Sequence, residues 1–192
     1  MEIQSVLNTI IHGDCLEVMK QLPSESIDLI ITSPPYNLGK KSRSQWHYWI
    51  SSNLRDGYDG YEDDMPSDQY IEWQRNCLTE MMRVIKETGA IFYNHKWRNK
   101  DNKLNTLHEI TDGFPIRQII IWDRLGGIDC NFNYFIPAYE VIYMIAKQKY
   151  RLKNSDRNIE NKPTSVWRIP PSVKTEHPAP FPLELPTRII KW

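Results

Sequence analysis

The residues best suited to chemistry lie in one short run, Ser33-Pro34-Pro35-Tyr36. A serine hydroxyl and proline carbonyls accept hydrogen bonds, proline brings no N–H of its own to compete, and a tyrosine offers a flat aromatic face. Such a set suits a planar group that carries an NH2. In an exocyclic amine on a nucleobase the lone pair is delocalised into the ring. Acceptors aimed at its two hydrogens favour the pyramidal, nucleophilic form, a stabilisation felt mainly in the transition state. A proline-stopped strand end with no chemical role is the competing reading of the same four residues.

The surrounding sequence decides where such a turn would stand. Ile27 to Ile31 is a nearly continuous apolar run, the pattern of a strand covered on both faces, and the two prolines must end it. Upstream, Val6 to Ile11 reads as a first strand, and Asp14 can cap a short helix over Cys15 to Gln21. Downstream, Asp64 and Pro66, or Ser67, start a helix in which Tyr70, Cys77, Leu78, Met81, Met82 and Ile85 recur at helical spacing until Gly89. Strands follow at Ala90 to Tyr93, Ile116 to Trp122, Tyr139 to Ala146 and Val166 to Ile169, with a short helix over Leu104 to Ile110 and another begun in Leu183 to Trp192. Alternating strands and helices imply an α/β fold with a mostly parallel sheet. Ligands of such sheets bind outside the carboxyl ends of the strands, which is where Ser33 to Tyr36 would lie.

Composition narrows the functional classes. With 192 residues, 40% of them hydrophobic, the chain fits one globular domain or a large part of one, which excludes disorder along its whole length. No apolar run approaches the roughly 18 residues of a membrane span, and Met1 to Asn8 lacks the regions of a signal peptide, so the expected location is cytoplasmic. Cys15, Cys77 and Cys130 are far apart with no CxxC, and His12, His47, His95 and His108 show no ligand spacing, so no metal site is expected. Lys+Arg and Asp+Glu balance at 24 each, which argues against nucleic-acid binding by bulk positive charge. Local basic stretches remain: Lys40, Lys41, Arg43 and Arg55 interleaved with Trp46, His47, Tyr48 and Trp49, and then Lys96, Arg98, Lys100 and Lys103. Either alone reads as a solvated loop; together, beside the Ser33 turn, they read as phosphate contacts.

The stretch from His12 to Leu16 and from Leu22 to Gly39, with Ser33-Pro34-Pro35-Tyr36 at its heart, resembles the start of the permuted, β-class DNA amino-methyltransferases. The resemblance continues in Gly89 to Lys96, Ile119 to Arg124, Tyr139 to Ala146 and His177 to Pro186. It implies a Rossmann-like class I methyltransferase fold, S-adenosylmethionine as cofactor, and methylation of adenine N6 or cytosine N4 in double-stranded DNA. Serine at the first motif position leans toward cytosine N4. Carried over residue by residue, Ser33, Pro34, Pro35 and Tyr36 match the catalytic motif, in which the first residue and a proline carbonyl bind the amine and the aromatic stacks on the base. Asp14, Pro35, His177 and Pro178 match cofactor-contacting positions, although Asp14 also reads as a plain helix cap and His177 as a loop residue.

Relatives place a target-recognition segment where this sequence has Lys147 to Glu176, which is short and basic, so limited sequence readout is expected. They also place a Gly-rich cofactor loop directly after the proline-rich motif, whereas every glycine here lies at or before Gly127. The expectation is therefore an incomplete methyltransferase domain over residues 1–192, truncated, or completed by a second polypeptide that supplies the Gly-rich loop, with a homodimer as a way to cover exposed strand edges. A DNA-binding remnant without catalysis is the alternative.

Overall fold

The computed structural model describes residues 2–37, 63–127, 132–152, 164–172 and 180–192. Among them are seven strands: β1 (Ile27–Thr32), β2 (Ile85–His95), β3 (Arg98–Lys100), β4 (Lys103–Asn105), β5 (Ile116–Asp123), β6 (Tyr139–Ala146) and β7 (Val166–Arg168). Five form one sheet in the order β1-β2-β6-β5-β7, and β3 pairs with β4 in a separate hairpin. β1 runs parallel to β2 and β5 parallel to β7, while β6 is antiparallel to both β2 and β5. Four strands of the sheet thus share a direction and β6 alone runs against them.

Strand periodicity divides the core into two layers. Ile91, Tyr93, Val141, Tyr143 and Ile145 point to one face, where Tyr70, Cys77, Leu78 and Met81 of the Ser67–Val84 helix cover them. Ala90, Phe92, Ile142 and Met144 point to the other face and meet Trp167 of β7 with Leu185 and Ile189 of the Glu184–Lys191 helix. Seven of the eight residues of β6 are buried, as a central strand covered on both sides requires.

Several expectations hold. Asp14 caps the Cys15–Gln21 helix, its Oδ1 accepting the N–H groups of Leu16 at 2.9 Å and Glu17 at 3.1 Å. β6 has the expected bounds, and β5 runs one residue further than expected. β7 ends one residue short of the strand expected over Val166 to Ile169. No helix among the described residues is long and apolar enough to cross a membrane.

Other expectations are corrected. Val6 to Ile11 is not a strand: Ile3–Val6 is a 3-10 turn, and Leu7, Ile10 and Ile11 are exposed. Strand-prone residues need a ladder to join, and no described strand pairs with these. β1 is correspondingly an edge strand among the described residues, and its cover is partial: Ile30 packs against one core layer and Leu29 and Ile31 against the other, each only half-buried. The long helix stops at Val84, not at Gly89. Gly89 instead serves the sheet: the β1–β2 register shifts between Ile27↔Ile85 and Leu29↔Ala90, and a Cβ at residue 89 would stand 3.0 Å from the Asp28 carbonyl oxygen. The helix expected over Leu104 to Ile110 is divided between β4 and a single turn at His108–Thr111, because Leu107 is left-handed with φ 64°.

The docked Glu184–Lys191 helix gives a direct test of this packing. Ile189 is 5% exposed and Ile190 69% exposed. In denaturant unfolding, Ile189→Ala is expected to cost about 2–5 kcal/mol and Ile190→Ala less than about 0.5 kcal/mol.

Candidate active site

The turn at residues 33–36 leaves β1 at the carboxyl edge of the sheet. Ser33 is exposed, and Pro34, Pro35 and Tyr36 are half-buried. Because Thr32 pairs with Tyr93, the next residues of β2, Asn94 and His95, come beside the turn. The reversed direction of β6 brings its first residues, Tyr139 and Glu140, to the same edge, with Glu140 opposite Trp122 and Arg124 just past the end of β5.

Three sets of contacts pin the turn. Asn37, left-handed with φ 54°, exchanges a pair of hydrogen bonds with the backbone of Met65, both 2.7 Å, and its N–H donates to Asp63 Oδ1 at 2.7 Å. Asparagine tolerates this backbone region better than most residues. From the long helix, Tyr70 donates its hydroxyl to the Pro35 carbonyl at 2.8 Å. Arg98 donates to the carbonyls of Tyr36 and Asn37. Each such bond contributes about 0.5–1.5 kcal/mol net, so together they hold one conformation firmly.

His95 supports the turn from beneath. Its ring stacks on Tyr36, with centroids 4.4 Å apart and planes 24° apart. The Lys96 N–H donates to Nδ1 at 2.9 Å, which leaves Nε2–H to donate to the Tyr70 oxygen at 2.8 Å while Tyr70 donates onward to Pro35. This tautomer satisfies the Tyr70 hydroxyl and the Pro35 carbonyl together, while the Lys96 carbonyl, 3.1 Å from Nδ1, takes no proton from the ring. Burial holds the imidazole down to a pKa of about 3, with the Arg98 guanidinium pushing the same way, so the ring is neutral near pH 7.

The functional atoms meet in a polar cluster centred on Glu140, which is 7% exposed. Ser33 Oγ and Tyr36 Oη are 2.9 Å apart, and Tyr36 donates to Glu140 Oε2 at 3.0 Å. Asn94 Nδ2 approaches Tyr36 Oη at 2.7 Å, Glu140 Oε2 at 2.9 Å and Ser33 Oγ at 3.3 Å. The carboxylate beside it fixes the amide orientation, since Oδ1 in that place would face another acceptor. Oδ1 is buried with no hydrogen-bond partner among the described residues. On the far side Arg124 pairs with Glu140 Oε1 at 3.0 Å. A cavity of about 370 Å³ opens beside the turn, its lining including Tyr36, Tyr70, His95, Lys96 and Arg98. Its size suits a small planar ligand.

The structure therefore brings Ser33, Pro34, Pro35, Tyr36, Lys96 and Arg98 to one place. Asp14 stands apart as an exposed helix cap, with no described contact to the cluster. Lys40, Lys41, Arg43, His177 and Pro178 lie outside the described residues, as do Arg55 and the aromatics from Trp46 to Trp49. Sequence reasoning missed Glu140, Asn94, Arg124 and the hydroxyl of Tyr70. Glu140 had a signal, being the lone acid in an otherwise apolar strand. Tyr70 had none, since its spacing marks it only as a core residue.

A sheet of this order, with its one reversed strand and a polar turn at the carboxyl edge, is compatible with a Rossmann-like fold. Residues 27–192 match the family model described as DNA methylase, and the chain belongs to that family of N6 and N4 methyltransferases. It is 27% identical to the DNA adenine methyltransferase YhdJ of Escherichia coli strain K12, over 90% of this chain and 53% of that one. It is 31% identical to the type II methyltransferase M.HinfI of Haemophilus influenzae, over 87% of this chain and 47% of that one. The chain thus spans about half the length of these curated relatives. Among solved structures it resembles the cytosine-N4-specific PvuII DNA methyltransferase with a TM-score of 0.67 at 17% identity, over 93% of this chain and 67% of that one, a likeness of fold.

The depressed pKa of His95 has a measurable consequence. Below pH 6.5 the unfolded chain takes up a proton that the folded chain excludes, so this residue's contribution to stability is intact above 6.5 and falls as pH drops toward 3. At pH 5 the loss relative to pH 7 is about 2 kcal/mol. Urea unfolding of His95→Gln is expected to lack that share of the acid sensitivity.

Proposed function

We propose that this chain carries the target-base side of a DNA amino-methyltransferase, which moves a methyl group from S-adenosylmethionine to the exocyclic amine of cytosine N4 or adenine N6 in double-stranded DNA. The observation that carries this reading is the Ser33 to Tyr36 turn, clamped at the carboxyl edge of the sheet with its serine exposed, in a chain of the DNA methylase family. A base turned out of the duplex would stack on Tyr36. His95 covers one face of that ring, so the base takes the other. Ser33 Oγ and one proline carbonyl accept the two amine hydrogens. That carbonyl is assigned to Pro34, because the Pro35 carbonyl already accepts from Tyr70. Acceptors held in advance stabilise the nucleophilic amine without reorganising at the moment of reaction.

S-adenosylmethionine supplies a methyl group made electrophilic by its sulfonium. Asp14, Pro35, His177 and Pro178 are assigned to hold it. Asp14 fits this role in part: Oδ1 is spent on the helix cap, and the side chain stands exposed at the helix start. Lys40, Lys41, Arg43 and Lys96 are assigned to phosphates, and Arg98 joins them through the turn it clamps. The partner proposed beside DNA is a second polypeptide that carries a Gly-rich cofactor loop, or else a second copy of the chain that covers exposed strand edges. The relation to type II enzymes such as M.HinfI favours a modification role beside a restriction enzyme.

The test is transfer of tritium-labelled methyl groups to unmodified genomic DNA, with and without a supplied C-terminal polypeptide. Tyr36→Ala and Pro34→Ala are expected to lower transfer by roughly 100-fold or more with little change in melting temperature. DNA binding without transfer in either arrangement would instead identify a non-catalytic remnant.

A further inference from the structure

Hydrogen-bond direction around Glu140 makes Ser33 an acceptor. Glu140 can only accept while it is paired with the Arg124 guanidinium. The single hydroxyl proton of Tyr36 is committed to Glu140 Oε2, and the two protons of the Asn94 amide fall to its shorter contacts, Tyr36 Oη and Glu140 Oε2. Tyr36 Oη then has a lone pair for Ser33, so the Ser33 proton points inward along the 2.9 Å contact. What Ser33 Oγ presents to the exposed side is a lone pair.

We propose that Glu140, on β6, is a positioning residue for methyl transfer, acting through Tyr36 to hold Ser33 Oγ as a hydrogen-bond acceptor for the target amine. This rests on the methyl-transfer reading of the Ser33 to Tyr36 turn. In the reaction the amine nitrogen bonds the methyl carbon, the carbon–sulfur bond breaks with its electron pair going to sulfur, and one amine proton leaves to water. Glu140 takes no proton. Its work is finished before the substrate arrives, since a serine that accepted from the Tyr36 hydroxyl would turn its own O–H toward the amine as a competing donor. Glutamine at 140 permits that reversal: its amide can donate to Tyr36 Oη, and the Tyr36 hydroxyl then turns onto Ser33.

Two measurements test the relay. In methyl transfer to unmodified genomic DNA, Glu140→Gln is expected to lower kcat by about 100-fold while KM for DNA and Kd for S-adenosylmethionine stay within roughly threefold. Tyr36→Phe cuts the same relay, so the double variant is expected to be no slower than the slower single variant. Independently of turnover, in protein labelled at the tyrosine ring carbon that bears oxygen, the Tyr36 NMR signal, identified by its absence in Tyr36→Phe, is expected to move in Glu140→Gln. An unmoved signal, additive losses in the double variant, or a loss confined to KM overturns the proposal. A moved signal in a chain whose unaltered form transfers no methyl group supports the hydroxyl orientation and removes the methyl-transfer reading instead.

Discussion

A carboxylate taken out of water must be surrounded by donors, and Glu140 organises this end of the molecule because its demands are met from three directions. Arg124 comes from the end of β5, Asn94 from β2, and Tyr36 from the exit of β1, all converging on a residue of β6. Removing one donor would leave a charge poorly solvated in a site only 7% exposed, a far larger penalty than the net value of any one bond. The same requirement that stabilises the corner therefore fixes the positions of the groups that would meet a substrate.

A second layer of support lies under the first. His95, Tyr70 and the Pro35 carbonyl form a directed chain, and the neutral imidazole at its head follows from burial. Alongside it, Asn37, Asp63 and Met65 tie the far end of the turn to the approach of the long helix. The turn is held at its serine end by the polar cluster and at its asparagine end by backbone bonds. Rigidity at both ends matters, because acceptors stabilise a developing amine geometry only if they need not move to do so.

Much of this was legible in the sequence. The apolar run before two prolines located the end of β1, the stretch Tyr139 to Ala146 gave β6 its bounds, and Asp14 announced its helix. Patterning failed where a residue's neighbours in space decide the outcome. Val6 to Ile11 has strand chemistry without a strand beside it. Gly89 looked like a helix stop, but its role comes from the Asp28 carbonyl across the β1–β2 ladder. Arg98 read as a phosphate contact, and its guanidinium meets the backbone of Tyr36 and Asn37. Polar partners such as Asn94 and Tyr70 carry no local signature, since each acquires its role only when the strands are laid side by side.

The direction of β6 has a consequence for how this corner can change. A side chain that reaches the carboxyl edge from a parallel strand comes from the strand's last residues, but Glu140 reaches it from the second residue of a reversed one. Its facing is set by the β5–β6 ladder, which is regular from Gln118↔Met144 to Asp123↔Tyr139. Lengthening the chain after Ala146 would leave that register untouched, whereas one extra residue between Glu140 and Val141 would rotate the carboxylate to the opposite side of the sheet. Tolerance to insertion is thus sharply unequal at the two ends of one short strand.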